Sequence, residues 1–146
     1  MDEQQGKATS QLSFLDYVVD HIEFTNNPAY DADAVDITFD FRHEVAYAQP
    51  DAYVTLHLDI FPDAKVNNYP FSFSLSVTGH FQINAKSPEE ATAFLNVNAV
   101  AILFPYLRAL VTTYTANANI QPLILPPMNI ANMLEKASKK EDTGTD

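Results

Sequence analysis

The sequence contains no cysteine, only three glycines and no uninterrupted apolar run of about 18 residues. Without cysteine, disulfides, thiol nucleophiles and thiolate metal sites are excluded. The chain also lacks a glycine-rich phosphate loop, a dinucleotide fingerprint and a G-x-S-x-G nucleophile motif. Its first residues include no apolar segment of the kind found in secretory signals. We therefore expect a cytoplasmic protein that inserts no segment into a membrane and is not an enzyme of these classes.

Basic residues are also scarce. Eight lysines and arginines oppose nineteen aspartates and glutamates, which gives a net charge of −11. Such a charge repels nucleic acids and anionic lipids, so nucleic acid is not an expected partner. Between Leu12 and Ala85 there are eleven acidic and only two basic residues. This concentration has two interpretations, either the solubility of an apolar protein or a field that attracts basic partners.

Four segments alternate apolar and polar residues with the period of a half-buried β-strand. The clearest runs from Phe71 to Asn84. The others cover Leu12 to Phe24, Val35 to Arg42 with a weak continuation through Tyr47, and Tyr53 to Ile60. Turn-forming residues separate the segments, and the connections are too short for crossover helices. The pattern predicts a four-stranded antiparallel meander.

Two irregularities are expected within these strands. In the first segment the apolar positions change face, which predicts a bulge near Asp20 and His21. In the last segment Gly79 stands at an apolar position, which predicts a bend or a bulge there. Each irregularity would interrupt the regular pairing of its strand.

A helical period begins after the strands. The run from Ser87 to Glu90 combines an N-cap serine, a proline for the first helical position and two glutamates that complement the helix dipole. A helix is expected to run from here through Phe94 and Leu95, and a second helical stretch covers Ile102 to Tyr114. Pro105 either starts a helix or kinks a longer one, because proline inside a regular helix costs about 3 kcal/mol.

The fold class is therefore α+β. The four-stranded antiparallel meander sheet packs with a long helix, which Pro105 starts or kinks, and with a short C-terminal helix that begins at Asn129. Between them, the chain from Leu123 to Pro127 is extended, because a residue before proline disfavours helical geometry. A flexible segment, 1–11, precedes a single domain, 12–137, and the acidic tail, 138–146, is expected to be disordered.

The second helical stretch has more apolar surface than one side of a sheet needs. Its apolar residues recur at spacings of three and four, so some of them should remain for another chain. Arg108 lies beside them, where a guanidinium pairs with a carboxylate or stacks on a tyrosine. The predicted oligomer interface consists of Leu103, Tyr106, Leu107, Arg108, Leu110, Val111 and Tyr114.

These same residues resemble a known family. The run ILFPYLR, residues 102–108, is similar to the ILFPYAR segment of the SecB protein-export chaperones, with Leu107 in place of alanine. The run PMNI, residues 127–130, is similar to the family's P-x-N-F motif, with Ile130 in place of phenylalanine. Weaker likeness covers nearly the whole chain and includes IEFTNNP, residues 22–28.

The resemblance implies an ATP-independent holdase chaperone that forms a homotetramer as a dimer of dimers and uses no cofactor. Unfolded or non-native polypeptides would bind in its apolar grooves, in protein export or as specialised clients such as an antitoxin. Aromatic residues at such positions more often belong to an ordinary core. The predicted client-binding residues are Phe14, Tyr17, Phe39, Phe41, Tyr47, Phe104, Leu123, Leu125, Met128 and Ile130.

The chain departs from the family where secretory members use acidic residues to dock the SecA motor. None of the residues at the matching positions is acidic, which weakens the expectation that SecA docks here. The resemblance therefore favours a SecB-like chaperone that serves other clients, either alone or with a toxin-antitoxin system. The four substituted positions are His21, Thr25, Ser72 and Ser74.

The sequence gives little indication of a catalytic or metal-binding site. Three serines recur at strand spacing between Phe71 and Thr78, but no base is evidently placed to activate them. One histidine falls in each predicted strand, and their spacing matches no known set of metal ligands. We therefore expect neither a catalytic nor a metal site. The histidines concerned are His21, His43, His57 and His80.

A small-ligand or lipid-binding domain is the alternative to a chaperone. In that case the sheet would curl around an apolar cavity that holds one molecule. A lipid binder would be saturated by one amphiphile, whereas a holdase would suppress the aggregation of several unrelated unfolded proteins.

Overall fold

The computed structural model describes residues 11–125. The chain divides after Asn84 into two compact units, of which the first contains a four-stranded sheet and the second a long helix. The predicted α+β class is confirmed. The predicted C-terminal helix, the acidic tail and nearly all of the flexible segment 1–11 lie outside the described residues. The elements are β1 (Gln11–Asn26), β2 (Phe39–Ala48), β3 (Asp51–Ile60), α1 (Ala64–Asn67), β4 (Phe71–Asn84), α2 (Pro88–Ala93), a π-helical segment (Phe94–Asn98) and α3 (Ala99–Asn117).

The strands form one antiparallel sheet with the order β1-β4-β3-β2. β2, β3 and β4 make a meander, but β1 pairs with β4 and not with β2, so the first strand departs from the predicted order. The connection between β1 and β2 is longer than predicted, because β2 begins at Phe39 and not at Val35. This length lets the chain cross to the far edge of the sheet. Residues 27–38 must cross three strand spacings, about 14 Å. An extended connection of this length reaches about 40 Å.

Two bulges keep the apolar residues of β1 on one face. The register between β1 and β4 shifts at Leu15 and again at Asp20, and each shift leaves one extra residue on β1. The bulge at Asp20 was predicted, whereas the bulge at Leu15 is additional. The predicted irregularity at Gly79 is wrong: this residue pairs in register with Tyr17 on one side and Val54 on the other. Both bulges belong to the neighbouring strand.

Asn27 fixes the start of the connection that leaves β1. This residue is only 4% exposed. Its Nδ2 donates hydrogen bonds to the carbonyls of Ala64 at 3.2 Å and Tyr69 at 2.8 Å, and its Oδ1 accepts one from the Ala29 N–H at 3.2 Å. The predicted Asn-Asn-Pro turn is therefore tied to the connection between β3 and β4 by a buried amide that satisfies backbone carbonyls.

A single helix runs from Pro88 to Asn117 in the second unit, where the sequence predicts two helical stretches. Its start is as predicted, since the Ser87 hydroxyl accepts a hydrogen bond from the Glu90 N–H at 3.1 Å. The π-helical segment joins α2 to α3 without a break. Pro105 lies inside α3, so it does not start a helix.

Candidate functional site

The sheet has one apolar face that is buried at its centre and partly exposed at both edges. On the inner strands β3 and β4, the apolar side chains of this face are at most 7% exposed. The residues opposite them on the edge strands are half-buried or exposed. Directly opposite residues of an antiparallel pair share a face. The exposed part of the face is therefore two apolar strips, one along each edge strand.

The strip on β1 includes two of the predicted client-binding residues, Phe14 and Tyr17, which are both half-buried. Val19 was not predicted, although it is 41% exposed and lies opposite Val77, which is fully buried. The sequence contained the signal, since Val19 shares a face with Tyr17. This β1 strip consists of Leu12, Phe14, Tyr17, Val19, Ile22 and Phe24.

The strip on β2 includes the other three predicted residues of the sheet. Phe39 and Phe41 are half-buried, and Tyr47 is 43% exposed at the end of the strand. His43 and Val45 were not predicted as client contacts, but strand periodicity places them on the same face as Phe41. This β2 strip consists of Phe39, Phe41, His43, Val45 and Tyr47.

The predicted client-binding residues of the second unit lie in different environments. Phe104 is 3% exposed and Leu125 is fully buried, whereas Leu123 is half-buried. Met128 and Ile130 lie outside the described residues. Ile124, which was not among the predicted residues, is 68% exposed.

The chain that follows α3 is held by three side chains of the helix. The Thr112 hydroxyl donates to the Leu123 carbonyl at 2.8 Å, and the Thr115 hydroxyl accepts from the Leu123 N–H at 2.8 Å. Arg108 Nε donates to the Leu125 carbonyl at 3.0 Å. Arg108 was expected to meet a carboxylate or a tyrosine, but its described hydrogen bond is to main chain.

The predicted oligomer interface divides into a buried and an exposed set. Leu103, Leu107 and Val111 are fully buried within the chain, so another subunit has no access to them in this conformation. Tyr106 and Tyr114 are 40% and 37% exposed. The exposed side of the long helix therefore keeps part of the predicted interface. This outward set consists of Val97, Ile102, Tyr106, Tyr114 and the half-buried Leu110.

The other face of the sheet is polar and holds a serine next to a base. His57 Nδ1 lies 2.8 Å from Ser76 Oγ, and His57 Nε2 lies 3.2 Å from Glu44 Oε2, which also accepts from Arg42 at 3.0 Å. The sequence analysis missed this base because β3 and β4 bring together residues far apart in the chain. Acyl transfer also needs N–H donors for an oxyanion. β3 and β4 are inner strands, whose N–H groups pair within the described sheet.

A cleft of about 540 Å³ lies beside α1 in the first unit. It is lined in part by Thr25, Ser72 and Ser74. Its other side chains include both carboxylates and apolar groups. A lipid cavity would need a continuous apolar lining, so this cleft does not favour the ligand-binding alternative. Among the described residues, no cluster of three His, Cys, Asp or Glu side chains could hold a metal ion.

The long helix also passes a simple test for a membrane span. Residues Pro88–Asn117 include a window with a mean hydropathy of 1.6, of which 39% is buried in the structure. The core helix of a soluble protein has the same length and composition, so these two properties alone are not evidence of a membrane span.

Two known proteins are similar to this chain in sequence. An uncharacterized protein of Methanocaldococcus jannaschii, MJ0357, is 35% identical over 140 residues, which cover 92% of this chain and 90% of that protein. The protein-export protein SecB of Neisseria meningitidis serogroup B is 29% identical over 96 residues, covering 64% of this chain and 65% of the relative.

A solved structure shares the fold. It is the Mycobacterium tuberculosis Rv1957 SecB-like chaperone in complex with a ChAD peptide from the Rv1956 HigA1 antitoxin. The TM-score is 0.55 at 20% sequence identity, and the match covers 80% of this chain and 90% of that one. The family model for the preprotein translocase subunit SecB matches residues 25–141. The chain therefore belongs to the SecB family.

Proposed function

We propose that this protein is a holdase chaperone that binds unfolded or non-native polypeptides on the β1 and β2 strips without using ATP. The observation that carries the proposal is the partial exposure of one apolar face along both edges of the sheet. Exposed apolar surface of this extent marks a site of interaction with another macromolecule. Membership of the SecB family supports a soluble, non-enzymatic polypeptide binder.

The shape of the strips suits an extended chain better than a compact ligand. β1 has 16 residues and β2 has 10, so each strip is long and narrow. Both strands are at the edges of the described sheet, the position at which an extended peptide adds a strand in other sheet proteins. Phenylalanine, tyrosine and valine side chains bind many apolar sequences because their contacts are not directional. This combination fits a chaperone that accepts varied clients.

The outward set of the long helix supports assembly with further copies of the chain. Val97, Ile102, Tyr106 and Tyr114 are each between 37% and 40% exposed. Burying them between subunits would remove apolar area from water, and a homotetramer built as a dimer of dimers is the assembly that we propose. Sedimentation velocity of the full chain measures this directly. A tetramer is expected, and a monomer at all concentrations contradicts the assembly.

The clients are proposed to include a specialised partner such as an antitoxin. The structural relative from Mycobacterium tuberculosis is described as bound to an antitoxin peptide, and other relatives are protein-export proteins. In this chain His21, Thr25, Ser72 and Ser74 leave few of the acidic contacts with which SecA would be docked. A client delivered without SecA therefore fits these residues better. Binding of SecA to the purified protein would count against this preference.

Suppression of client aggregation tests the proposed function. Two unrelated chemically unfolded proteins are diluted into buffer with and without the chaperone, and light scattering is followed with no nucleotide present. The expected result is lower scattering for both clients and no change on adding ATP. Unchanged scattering for both clients, with saturable binding of one amphiphile, would favour the ligand-binding alternative instead.

A further inference from the structure

The polar face of the sheet carries a chain of hydrogen bonds from β1 across the two inner strands. Asp20 is the extra residue of the second bulge, so the ladder between β1 and β4 gives it no directly opposite residue. The Thr78 hydroxyl donates to Asp20 Oδ2, and Thr55 lies opposite Thr78 with the two hydroxyl oxygens 2.8 Å apart. Thr78 has one hydrogen to donate, so Thr55 is the donor in the second contact. The carboxylate thereby joins the bulged residue of β1 to both inner strands.

A second chain of hydrogen bonds runs beside the first and reaches β2. Glu44 Oε2 lies 3.2 Å from His57 Nε2, and a carboxylate can only accept, so this ring nitrogen is the donor. The other ring nitrogen, Nδ1, lies 2.8 Å from Ser76 Oγ. His57 and Ser76 are two residues from Thr55 and Thr78 on the same strands, so the two chains form adjacent rows. Each edge strand of the described sheet is therefore joined to the inner strands by a carboxylate.

The two carboxylates stand next to strip residues on their own strands. Asp20 directly follows Val19, and Glu44 directly precedes Val45. Each carboxylate bonds on the polar face, whereas these neighbours belong to the β1 and β2 strips on the apolar face. Moving the bulge by one residue toward the start of β1 would place Asp20 opposite Val77, where Val19 now lies. The position of the Asp20 side chain therefore decides which residue the β1 strip presents there.

We propose that Asp20 and Glu44 are positioning residues of the client site, the first for the β1 strip and the second for the β2 strip. This inference rests on the proposed holdase function and names the side chains that set the geometry of its two contact surfaces. Neither carboxylate is expected to touch an apolar client, because both bond on the opposite face of the sheet. Each acts through the strand that carries it.

Holding the edge strands matters because each of them has a neighbour on one side only within the described sheet. A strand that moves must lose backbone freedom when a client binds, and this loss lowers the affinity. A hydrogen bond to a carboxylate restricts the strand before the client arrives. Removing either carboxylate is therefore expected to weaken the strip on its own strand and to leave the other strip nearly intact.

The chain offers matched variants for both strands. Asp20→Ala and Glu44→Ala remove the two carboxylates. Asp16→Ala and Asp40→Ala make the same change of charge at exposed positions of β1 and β2, from which no described hydrogen bond reaches an inner strand. Asp20→Asn keeps a side-chain oxygen that accepts from Thr78, so it should behave as the wild type does. Circular dichroism checks that each variant keeps the fold.

Strip-selective crosslinking tests the proposal. A photoreactive residue at Val19 or Val45 reports on the β1 or the β2 strip, and the probe is a fluorescent peptide of alternating leucine and serine. Asp20→Ala is expected to lower the yield at position 19 about threefold and to leave position 45 unchanged, and Glu44→Ala should do the reverse. The two control variants and Asp20→Asn should match the wild type at both positions. Equal losses at both positions would overturn the proposal, since a general loss of stability lowers both yields alike.

Hydrogen exchange tests the contact at the bulge without any client. Amides of residues 18–22 are expected to exchange at least about threefold faster in Asp20→Ala and in Thr78→Val, because each variant removes one partner of the same hydrogen bond. The double variant should exchange little faster than Thr78→Val alone. Unchanged exchange in both folded single variants, or additive increases in the double variant, would overturn the role of Asp20.

The outcomes separate this inference from the proposed function. If the wild type suppresses client aggregation and crosslinks at both strips but every variant matches it, the positioning inference is overturned and the holdase function stands. If the wild type neither suppresses aggregation nor crosslinks to the peptide at either position, the proposed function fails, and the inference fails with it.

Discussion

Val19 lies directly opposite Val77 across the β1–β4 ladder, yet Val19 is 41% exposed while Val77 is completely buried. The two side chains share one face of the sheet, so the difference marks where the buried centre of that face ends. On β2 the same transition occurs between Val45, which is half-buried, and Val54, which is fully buried. The apolar surface proposed for clients is therefore defined by position across the sheet and not by residue type.

Tyr47 and Tyr53 provide a matched test of the β2 strip. They are 43% and 45% exposed, but Tyr47 lies opposite buried Ala52 on the apolar face, whereas Tyr53 stacks on His80 at 4.6 Å on the polar face. Tyr47→Ser is expected to weaken client binding severalfold, because it removes apolar area from the strip. Tyr53→Ser should not change it. Fluorescence titration with an unfolded client measures both, and equal losses would contradict the assignment.

Asn27 and Asn26 test the buried amide that anchors the first connection. Asn27→Leu leaves the carbonyls of Ala64 and Tyr69 without their donors, and we expect it to lower the free energy of unfolding by roughly 1–3 kcal/mol. Asn26 is exposed, so Asn26→Leu should change the free energy of unfolding by less than about 0.5 kcal/mol. Urea denaturation measures both values. Similar stability of the two variants would show that the amide is dispensable.

Leu103 and Ile102 separate the core of the long helix from its outward set. Leu103 is fully buried, so Leu103→Ala is expected to destabilise the chain by roughly 2–5 kcal/mol. Ile102 is 37% exposed. Ile102→Ala should leave the unfolding of a subunit nearly unchanged but shift sedimentation toward smaller assemblies. An unchanged sedimentation profile for Ile102→Ala would argue against this face as a subunit contact.

Ser76 should be chemically unreactive despite its contact with His57. The N–H groups of β3 and β4 pair within the described sheet, so the hydroxyl is not expected to be labelled by a fluorophosphonate probe. Mass spectrometry of the treated protein checks this. A covalent adduct on Ser76, absent from Ser76→Ala, would contradict this expectation.

Local patterns predicted most of the secondary structure. Alternation identified four strands, and the change of face in the first strand located the bulge at Asp20. Strand order was less accessible, because the pairing of β1 with β4 depends on contacts between residues 45 to 73 positions apart. Pro105 is another example: its cost within a helix suggested a boundary, but the surrounding packing keeps α3 continuous.

The sequence indicated the apolar residues of the candidate site, but not which of them are buried. A helical period shows that Leu103 and Tyr106 are both near an apolar stripe, but the sequence does not tell which of them is buried within the chain and which faces outward. The hydrogen bonds that hold Leu123 were missed entirely, since the threonines of α3 meet residues that are 8 to 11 positions away along the chain. Only the turn after the helix brings these groups together.

Site-specific photo-crosslinking tests the central claim most directly. A photoreactive residue is placed at Val19, on the β1 strip, or at Val18, which is 56% exposed but lies opposite Thr78 on the polar face. After illumination with an unfolded client, a crosslinked product is expected from position 19 and little or none from position 18. Equal or stronger crosslinking from position 18 would contradict the proposal that clients occupy the exposed margins of the apolar face.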